Sequence, residues 1–373
     1  MLNSAPERTG VLLLNFGEPE KPTMESVVPF LERIFYNNAP LERFPSDEAR
    51  RARSRELARR RAPALVEDYK KIGGSPLPSQ ARRLGRNIQA ILNEEGFVSR
   101  VYVGMLFIEP TIAQAVTQAH EAGVDRLIGL PVFPLCGYST NVAALDAVQD
   151  ALDTLEWDVP FYGVTGWHYR KEYVDIRTRN IADFVAQHGL DLNDEDTLLF
   201  FSAHGTPIKY LDAGSRYDGY VEEHCAEVAR QLGGVKYTIG YQNHSNRGIA
   251  WTEPDNADHI KTIKAKRIVV VPISFMYEHS ETLAELDIDF VEEAAEEGIT
   301  MYRVPVPHDD PAFPRVLVDL ARPFLNGELP ETAALHQCRC RPKKGTFCTN
   351  GHREVSCHYS AKKVQRVQEP VSR

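Results

Sequence analysis

A histidine at the end of an apolar run is the first residue in the sequence with an evident capacity for chemistry. Leu198 to Phe201 suit a buried strand, and Ser202 to Pro207, which include His204, end it abruptly. Ligands bind at the carboxyl ends of strands in open α/β sheets, so His204 is predicted to face a crevice. Histidine, with an ordinary pKa of about 6.5, suits a base that works near neutral pH. A strand-end histidine satisfied by local hydrogen bonds is the alternative interpretation.

Three carboxylates follow a second apolar run. Glu281, Glu285 and Asp289 are spaced at i, i+4 and i+8, which places them on one face of a helix. Like charges at this spacing repel by a few tenths of a kcal/mol per pair, roughly, so water or a cation must compensate them. A solvated helical face is the commoner explanation of such a stripe. Here, however, Glu281 lies just past the predicted strand Arg267 to Phe275, at the edge of a crevice.

Four of the six cysteines lie in the last 36 residues, in the pattern C-x-C-x₇-C-x₈-C. They are Cys338, Cys340, Cys348 and Cys357. The segment has little apolar content, so a bound metal is its natural organiser. Four thiolates suit a [2Fe–2S] cluster or a structural Zn²⁺ ion. His336, His352 or His358 could replace one thiolate, whereas Cys136 and Cys225 suit buried apolar positions.

Composition restricts the class of protein. The chain has 373 residues, a formal net charge of −9 and 43% hydrophobic residues, which fits two domains of ordinary size. An acidic chain argues against nucleic acid as the main partner and favours a small molecule or a metal ion. The start of the sequence has no signal-peptide pattern and no run of 18 apolar residues occurs, so a cytoplasmic protein is expected.

Apolar runs and helical patterns alternate along the chain. The predicted strands are Gly10 to Phe16, Val101 to Phe107, Arg126 to Leu135, Phe161 to Thr165, Thr197 to Ala203, Val235 to Tyr241, Arg267 to Phe275 and Thr300 to Val304. Helical patterns such as Met24 to Tyr36 and Leu77 to Leu92 separate them. This alternation predicts an α/β protein with parallel sheets and helices on both faces.

An internal repeat indicates two similar halves. The stretch that begins at Arg126 can be laid without a gap over the stretch that begins at Arg267, 141 residues later, and Pro131/Pro272 and Asp146/Asp287 are among the identities. A repeat of this length corresponds to a whole domain. The predicted fold is therefore two Rossmann-like, doubly wound domains with a cleft between them.

Six short motifs, in order, resemble those of the ferrochelatase family, whose members insert Fe²⁺ into a porphyrin in haem synthesis. They are LLLNFGEP from Leu12, YKKIGGSPL from Tyr69, IEPTI from Ile108, FSAHGTP from Phe201, YQN with the later AWTEPD that ends at Asp255, and HSETLAELD from His279. The resemblance covers roughly Thr9 to Asn326. It implies the same two-domain fold, with protoporphyrin IX or coproporphyrin III as the second substrate. A tetrapyrrole- or metal-binding protein without activity is the alternative on the same fold.

The resemblance also implies roles for individual residues. His204 matches the family's active-site histidine and Glu281 its acidic partner, and both are expected to be catalytic and to meet Fe²⁺. Glu285 and Asp289 match carboxylates thought to lead the metal inward. The residues that match porphyrin-binding positions are Phe16, Arg61, Ser75 and Trp251. Some members carry a [2Fe–2S] cluster near the C-terminus, which makes this cluster the first choice for the Cys-rich segment, ahead of Zn²⁺. In some members one ligand comes from the middle of the chain, and the resemblance makes Cys136 a candidate for it.

The expected domain boundaries follow from the repeat and the resemblance. Residues 1–165, joined by a helix at 311–326, form the first half; residues 166–310 form the second half with His204 and Glu281; and 327–373 form a Cys-rich extension. The Arg-rich stretch Arg50 to Arg61 suits porphyrin propionates or an anionic membrane surface, so a peripheral membrane contact is a possible interaction. The sequence does not determine the oligomeric state.

Overall fold

We describe a computed structural model of the chain, in which residues 8–37, 44–243 and 249–349 are described. All eight predicted strands are present. They are β1 (Thr9–Asn15), β2 (Ser99–Met105), β3 (Arg126–Pro131), β4 (Phe161–Val164), β5 (Thr197–His204), β6 (Tyr237–Gln242), β7 (Arg267–Pro272) and β8 (Thr300–Arg303), followed by the short β9 (His336–Gln337) and β10 (Thr346–Cys348).

The α-helices alternate with these strands. They are α1 (Met24–Asn37), α2 (Asp47–Ile72), α3 (Leu77–Glu94), α4 (Ile112–Glu121), α5 (Ala143–Thr154), α6 (Lys171–Gln187), α7 (Ile208–Asp212), α8 (Tyr217–Gln231), α9 (Asn256–His259), α10 (Ser280–Leu283), α11 (Val291–Glu296) and α12 (Phe313–Asn326). Tyr138–Val142 and Glu285–Phe290 are π-helical, and Ile260–Thr262 and Pro330–Ala333 are 3₁₀ turns. In the ranges that the structure describes, no helix is both long and apolar enough to cross a membrane.

Two sheets divide the strands between the halves. The first sheet has the order β2-β1-β3-β4-β10-β9 and the second the order β6-β5-β7-β8. Every pairing is parallel except that of β9 with β10. The four-stranded parallel order is therefore the same in both halves, as the repeat predicts.

The central strands are buried on both faces because helices cover both sides of each sheet. All seven residues of β1 are buried, and β3 and β7 are buried after their first residue, the pattern expected of parallel strands. Glycines let α5 approach the first sheet, since a Cβ at Gly129 or Gly163 would lie 2.8 Å from a Leu145 methyl group. The helix α12 returns to this half, where Phe313 and Leu317 join the core cluster that contains Val11.

Two strands end several residues before their predicted ends. The third ends at Pro131 rather than Leu135, and the seventh ends at Pro272 rather than Phe275. Proline has no N–H group to continue a sheet ladder. In both halves the chain therefore leaves the sheet at the repeat-equivalent proline, and the residues predicted to extend the strand form the loop above its carboxyl end.

The Cys-rich segment does not stand apart from the body. β10 pairs with β4 in parallel, and β9 pairs with β10, so residues up to Thr349 extend the first sheet. Arg341, 4% exposed, donates from Nε to Asp146 Oδ1 at 2.9 Å, and Lys343 Nζ donates to the same oxygen at 2.8 Å. The segment is thus anchored through both backbone and side chains.

Candidate active site and cysteine cluster

His204 is the last residue of β5 and faces the space between the halves. Its backbone N–H donates to Ser274 Oγ at 3.0 Å, and its Nδ1 lies 2.5 Å from the carbonyl oxygen of Gly205. Because a carbonyl only accepts, Nδ1 carries the proton in the neutral ring, and Nε2 is left as the acceptor. Gly205 is needed here because a Cβ would lie 1.8 Å from Asn243 Oδ1.

Glu281 lies between two histidines. Its Oε1 is 3.6 Å from His204 Nε2, and its Oε2 is 3.6 Å from His279 Nε2. Its side chain is 15% exposed, so the interaction between the three groups is only weakly screened by solvent. The predicted pairing of the strand-end histidine with this carboxylate is therefore present in the structure.

His279 is buried among carboxylates. Burial alone lowers its pKa, but the hydrogen bond with Glu281 and the charges of Glu18, Glu281 and Glu278 outweigh this effect and raise the pKa to about 9. Glu18 is itself buried and accepts from Ser280, through the backbone N–H at 3.1 Å and the hydroxyl at 2.7 Å. The site therefore holds an imidazolium next to Glu281 at neutral pH.

The carboxylates beyond Glu281 do not lie on a regular α-helix. The chain widens into the π-helix Glu285–Phe290, where the Asp289 N–H donates to the Ala284 carbonyl at 3.0 Å, five residues back. Glu285 Oε2 accepts from Gln242 Nε2 at 3.1 Å. Burial and the nearby charge of Glu281 raise the pKa of Glu285 to about 8. Asp289 is exposed, and partial desolvation raises its pKa as well.

These groups line a large open cavity of about 1220 Å³, to which both halves of the protein contribute residues. Its lining includes His204, Glu281, Glu285 and Asp289, which makes a row of carboxylates that runs from the histidine to the solvent. Phe16, Arg61 and Trp251 also line it, and Phe16 packs edge-on against Phe107 with ring centres 4.6 Å apart. Much of the wall opposite the carboxylates is aromatic or aliphatic, from Phe30, Leu31, Ile34, Phe35, Leu65 and Phe107.

Ser75, the fourth residue expected at the porphyrin, is not part of this lining. It is buried in the turn between α2 and α3, where its hydroxyl accepts from Leu77 N–H at 3.3 Å. In this structure it shapes the start of α3.

Three of the four predicted cysteine ligands come together with a fourth thiol. Cys338, Cys340 and Cys348 lie near Cys136, which is at the carboxyl end of β3, and hydrogen bonds from Cys136, Cys340 and Cys348 lower the pKa of Cys338. Thr165 Oγ1 also donates to Cys338 Sγ at 3.1 Å. Cys357, His352 and His358 lie outside the described residues, and the described cysteines form no disulfide.

Within the described ranges, no group of three or more His, Cys, Asp or Glu side chains has a recognisable metal-binding arrangement. The case for a metal at the cysteines therefore rests on donor chemistry and proximity. Hydrogen bonds link the four thiols, and four neighbouring thiols are the donor set of a [2Fe–2S] or Zn²⁺ site. The neighbouring polar groups are Tyr220, whose hydroxyl is 3.4 Å from Cys340 Sγ, and the Arg341 N–H, 3.4 Å from Cys338 Sγ.

Sequence reasoning did not assign roles to Glu18, His279 or Gln242. Glu18 and His279 stand inside two of the quoted motifs, LLLNFGEP and HSETLAELD, and Gln242 inside YQN. Their presence in those motifs was the available signal, but only the fold brings the three segments to one point.

Comparisons with known proteins identify the family. A family model described as Ferrochelatase matches residues 8–324. A ferrochelatase of Trichodesmium erythraeum is 33% identical over 329 residues, which cover 86% of this chain and 83% of that protein. Ferrochelatases of a Nostoc species and of Synechococcus elongatus are also 33% identical, with 86% and 85% of this chain and 83% of each relative covered.

A solved structure shares the fold. The structure described as SirB from Bacillus subtilis with Fe³⁺ has a TM-score of 0.50 and 10% sequence identity, and the match covers 85% of this chain and 95% of that one. At this identity the likeness concerns the two-domain Rossmann-like architecture alone.

Proposed function

This chain belongs to the ferrochelatase family and inserts Fe²⁺ into a porphyrin in haem synthesis, and we propose that His204 is the base that accepts the porphyrin's protons. A free-base porphyrin holds two N–H protons that must leave as the metal enters. The observation that carries the proposal is that His204 Nε2, the acceptor nitrogen, points toward Glu281 at 3.6 Å inside the cavity. Glu281 stabilises the imidazolium that forms, as a carboxylate next to a histidine base does.

The carboxylate row forms the proposed route for Fe²⁺. Asp289 is exposed at the outer end, Glu285 is half-buried behind it, and Glu281 lies beside His204. Carboxylates bind hard, partly hydrated divalent cations. Because the pKa of Glu285 is raised to about 8, its proton must leave when a cation arrives, so metal entry is coupled to proton release.

The apolar wall is the proposed surface for the porphyrin. Phe16, Phe107 and Trp251 supply flat faces against which a macrocycle can pack. Arg61 provides a guanidinium at the cavity that suits a propionate. Either protoporphyrin, with two propionates, or coproporphyrin, with four, fits this chemistry.

The base assignment is tested with His204→Ala. The protein is incubated without air with Fe²⁺ and protoporphyrin, and the loss of free-base fluorescence is followed. We expect turnover to fall by at least about 10²-fold, the usual size of general-base catalysis, with the far-UV circular dichroism spectrum unchanged. His120→Ala, an exposed histidine on α4, is the matched control and should keep wild-type turnover. A His204→Ala variant with most of its activity would overturn the assignment.

We further propose that the cysteine pocket holds a [2Fe–2S] cluster on Cys136, Cys338, Cys340 and Cys348. The support is that these four thiols are neighbours and that their mutual hydrogen bonds favour a thiolate at Cys338, the form that binds metal. When bound, the group would link the β3 loop to the segment after α12. We also propose a cytoplasmic location, where disulfides are rare, and the described cysteines form none. The Arg-rich helix α2 is the surface that we propose for a peripheral membrane contact.

Metal analysis of protein purified without air separates the alternatives. A [2Fe–2S] site predicts visible charge-transfer bands and about two irons and two acid-labile sulfides per chain, whereas Zn²⁺ gives a colourless protein. Cys136→Ser should remove the colour and Cys357→Ser should keep it. The reverse result would restore the ligand set predicted from the sequence, and zinc without sulfide would exclude the cluster.

A further inference from the structure

We propose that Arg303, on β8, is a positioning residue that fixes the segment carrying Glu281 and Glu285 by holding a carboxylate at each end of it. The inference rests on the proposed role of that segment in metal insertion. Nothing in the sequence motifs or in the roles described so far includes Arg303.

The guanidinium contacts both ends of the segment. Its Nη1 donates to Glu278 Oε1 at 2.7 Å, just before His279. Its Nε and Nη2 donate to the two oxygens of Asp287, at 2.6 and 2.5 Å, in the middle of the π-helix. His279, Glu281 and Glu285 all lie between these two anchors.

These contacts are too well buried to be incidental surface ion pairs. The side chains of Arg303 and Glu278 are each 11% exposed and that of Asp287 is 33% exposed. Burial raises the pKa of Glu278, but the Arg303 charge and hydrogen bonds outweigh this and lower it. Glu278 Oε1 also accepts from Val306 N–H at 2.8 Å, so the same oxygen receives two donors from the chain in and after β8.

The clamp also reaches the first half. The Glu278 N–H donates to Gln80 Oε1, on α3, at 3.0 Å. Arg303 therefore holds a residue that is bonded across the cleft, and the position of the following His279 and Glu281 relative to the first half depends on this link. Only a planar guanidinium can hold one carboxylate with two parallel bonds while it donates to another.

The internal repeat supplies independent support. Asp287 corresponds to Asp146 in the first half. Arg303 pairs with Val270, and the equivalent Gly129 pairs with Gly163, which has no side chain to hold a carboxylate. There the guanidinium comes instead from Arg341, which donates to Asp146 at 2.9 Å. In each half, therefore, an arginine binds the repeat-equivalent aspartate. This aspartate lies just past the π-helix in the first half and within it in the second, and the two arginines come from different parts of the chain.

The test compares Arg303→Lys and Arg303→Gln with Arg322→Lys. Arg322 makes the same two-bond contact with Glu95, far from the cavity, and is the matched control. A lysine keeps the charge but cannot hold Asp287 at two atoms, so we expect kcat for metal insertion to fall roughly 10-fold in Arg303→Lys and about 10²-fold in Arg303→Gln, the size of effect that a misplacement near 1 Å can cause. The porphyrin KM should stay unchanged, and the Fe²⁺ concentration for half-maximal rate should rise.

A purely structural role would give a different result. In that case the activity per folded molecule, measured from circular dichroism and the bound-porphyrin signal, would remain at the wild-type level, and the inference would be wrong. If Arg303→Gln fails to fold, Asp287→Asn, which keeps the shape of its partner, should show the same kcat loss and half-saturation shift. If Arg303→Lys and Asp287→Asn have wild-type kinetics while Glu281→Gln is inactive, the clamp is rejected and the proposed function stands. If Glu281→Gln is fully active, the proposed function itself is rejected.

Discussion

The folded protein holds two protons beside Glu281, one on His279 and one on Glu285, and they make its free energy of unfolding depend on pH. The substitution Glu281→Gln should weaken this dependence. His279 has a folded-state pKa of about 9 against about 6.5 when unfolded. The stabilisation from its positive charge is therefore complete below pH 6.5 and is lost as the pH rises through 9. A shift of this size corresponds to about 3 kcal/mol, at about 1.36 kcal/mol per pKa unit.

Glu285 acts in the same direction. Its folded-state pKa is about 8, while the unfolded carboxyl ionises near 4.3, so the folded protein holds a proton that the unfolded chain has already released. Stability from this group therefore falls as the pH rises from about 4 to 8. Glu281→Gln removes the main interactions that raise the pKa of His279 and one of those that raise the pKa of Glu285. The variant should therefore lose the part of the decline between pH 6.5 and 9 that comes from His279, while burial still maintains part of the contribution from Glu285.

The assay is chemical denaturation of metal-free wild type and Glu281→Gln at intervals from pH 6.5 to 9. We expect the stability difference between the two proteins to change by about 3 kcal/mol across this range. Burial lowers the pKa values of His168 and His224, so these histidines change the stability only below pH 6.5. The buried thiols of Cys136 and Cys225 change the stability of both proteins equally. Glu95→Gln is the control, because Arg322 lowers the pKa of Glu95, which therefore stays ionised throughout. Parallel pH profiles for wild type and Glu281→Gln would refute the reasoning.

Three further predictions concern the metal route and the cysteine segment. Glu281→Gln should cut the insertion rate severely, whereas Asp289→Asn, at the exposed end of the row, should chiefly raise the Fe²⁺ concentration needed for half-maximal rate; equal effects in steady-state kinetics would contradict an ordered route. Cys340→Ser should remove the visible colour and lower the melting temperature, with activity per folded molecule unchanged, while Cys225→Ser keeps the colour; a folded, colourless and inactive Cys340→Ser would show that the cluster takes part in the reaction. Arg341→Gln should destabilise the protein by about 1–3 kcal/mol in denaturant titrations, since it removes this donor from the buried Thr346 hydroxyl and the Leu145 carbonyl, and a change within about 0.5 kcal/mol would show that the anchor is dispensable.

The strands could be predicted because each is a short apolar run next to helical periodicity. The repeat predicted two similar halves, and the eight strands and their parallel pairing are confirmed. The exact ends could not be read in the same way, since the apolar character continues past Pro131 and Pro272 into loops. Hydrophobicity measures burial, and these loop residues are buried over the carboxyl ends of the strands rather than paired within the sheet.

The geometry of the acidic segment could not be predicted from spacing. The i, i+4, i+8 pattern describes a regular α-helix, but the chain forms a π-helix from Glu285 to Phe290. A wider turn costs hydrogen-bond geometry locally and is held by tertiary contacts, here the bonds from Arg303 to Asp287. Likewise, no spacing rule brings Cys136 to Cys338, because that neighbourhood arises when β10 pairs with β4 at the edge of the first sheet.

The loops that follow β3 and β7 are equivalent in the repeat but carry different side chains. After β7, the strand-end loop carries His279 and Glu281, and the aspartate that follows is held by an arginine from the adjacent strand. After β3, the equivalent loop carries Cys136, and the equivalent aspartate, Asp146, is held by Arg341, three residues past Cys338. β4 has no arginine to play this part, so the segment after α12 supplies both the guanidinium and the remaining thiols. The Cys-rich segment therefore supplies the first half with an arginine–aspartate contact at the position where Arg303 holds Asp287 in the second half.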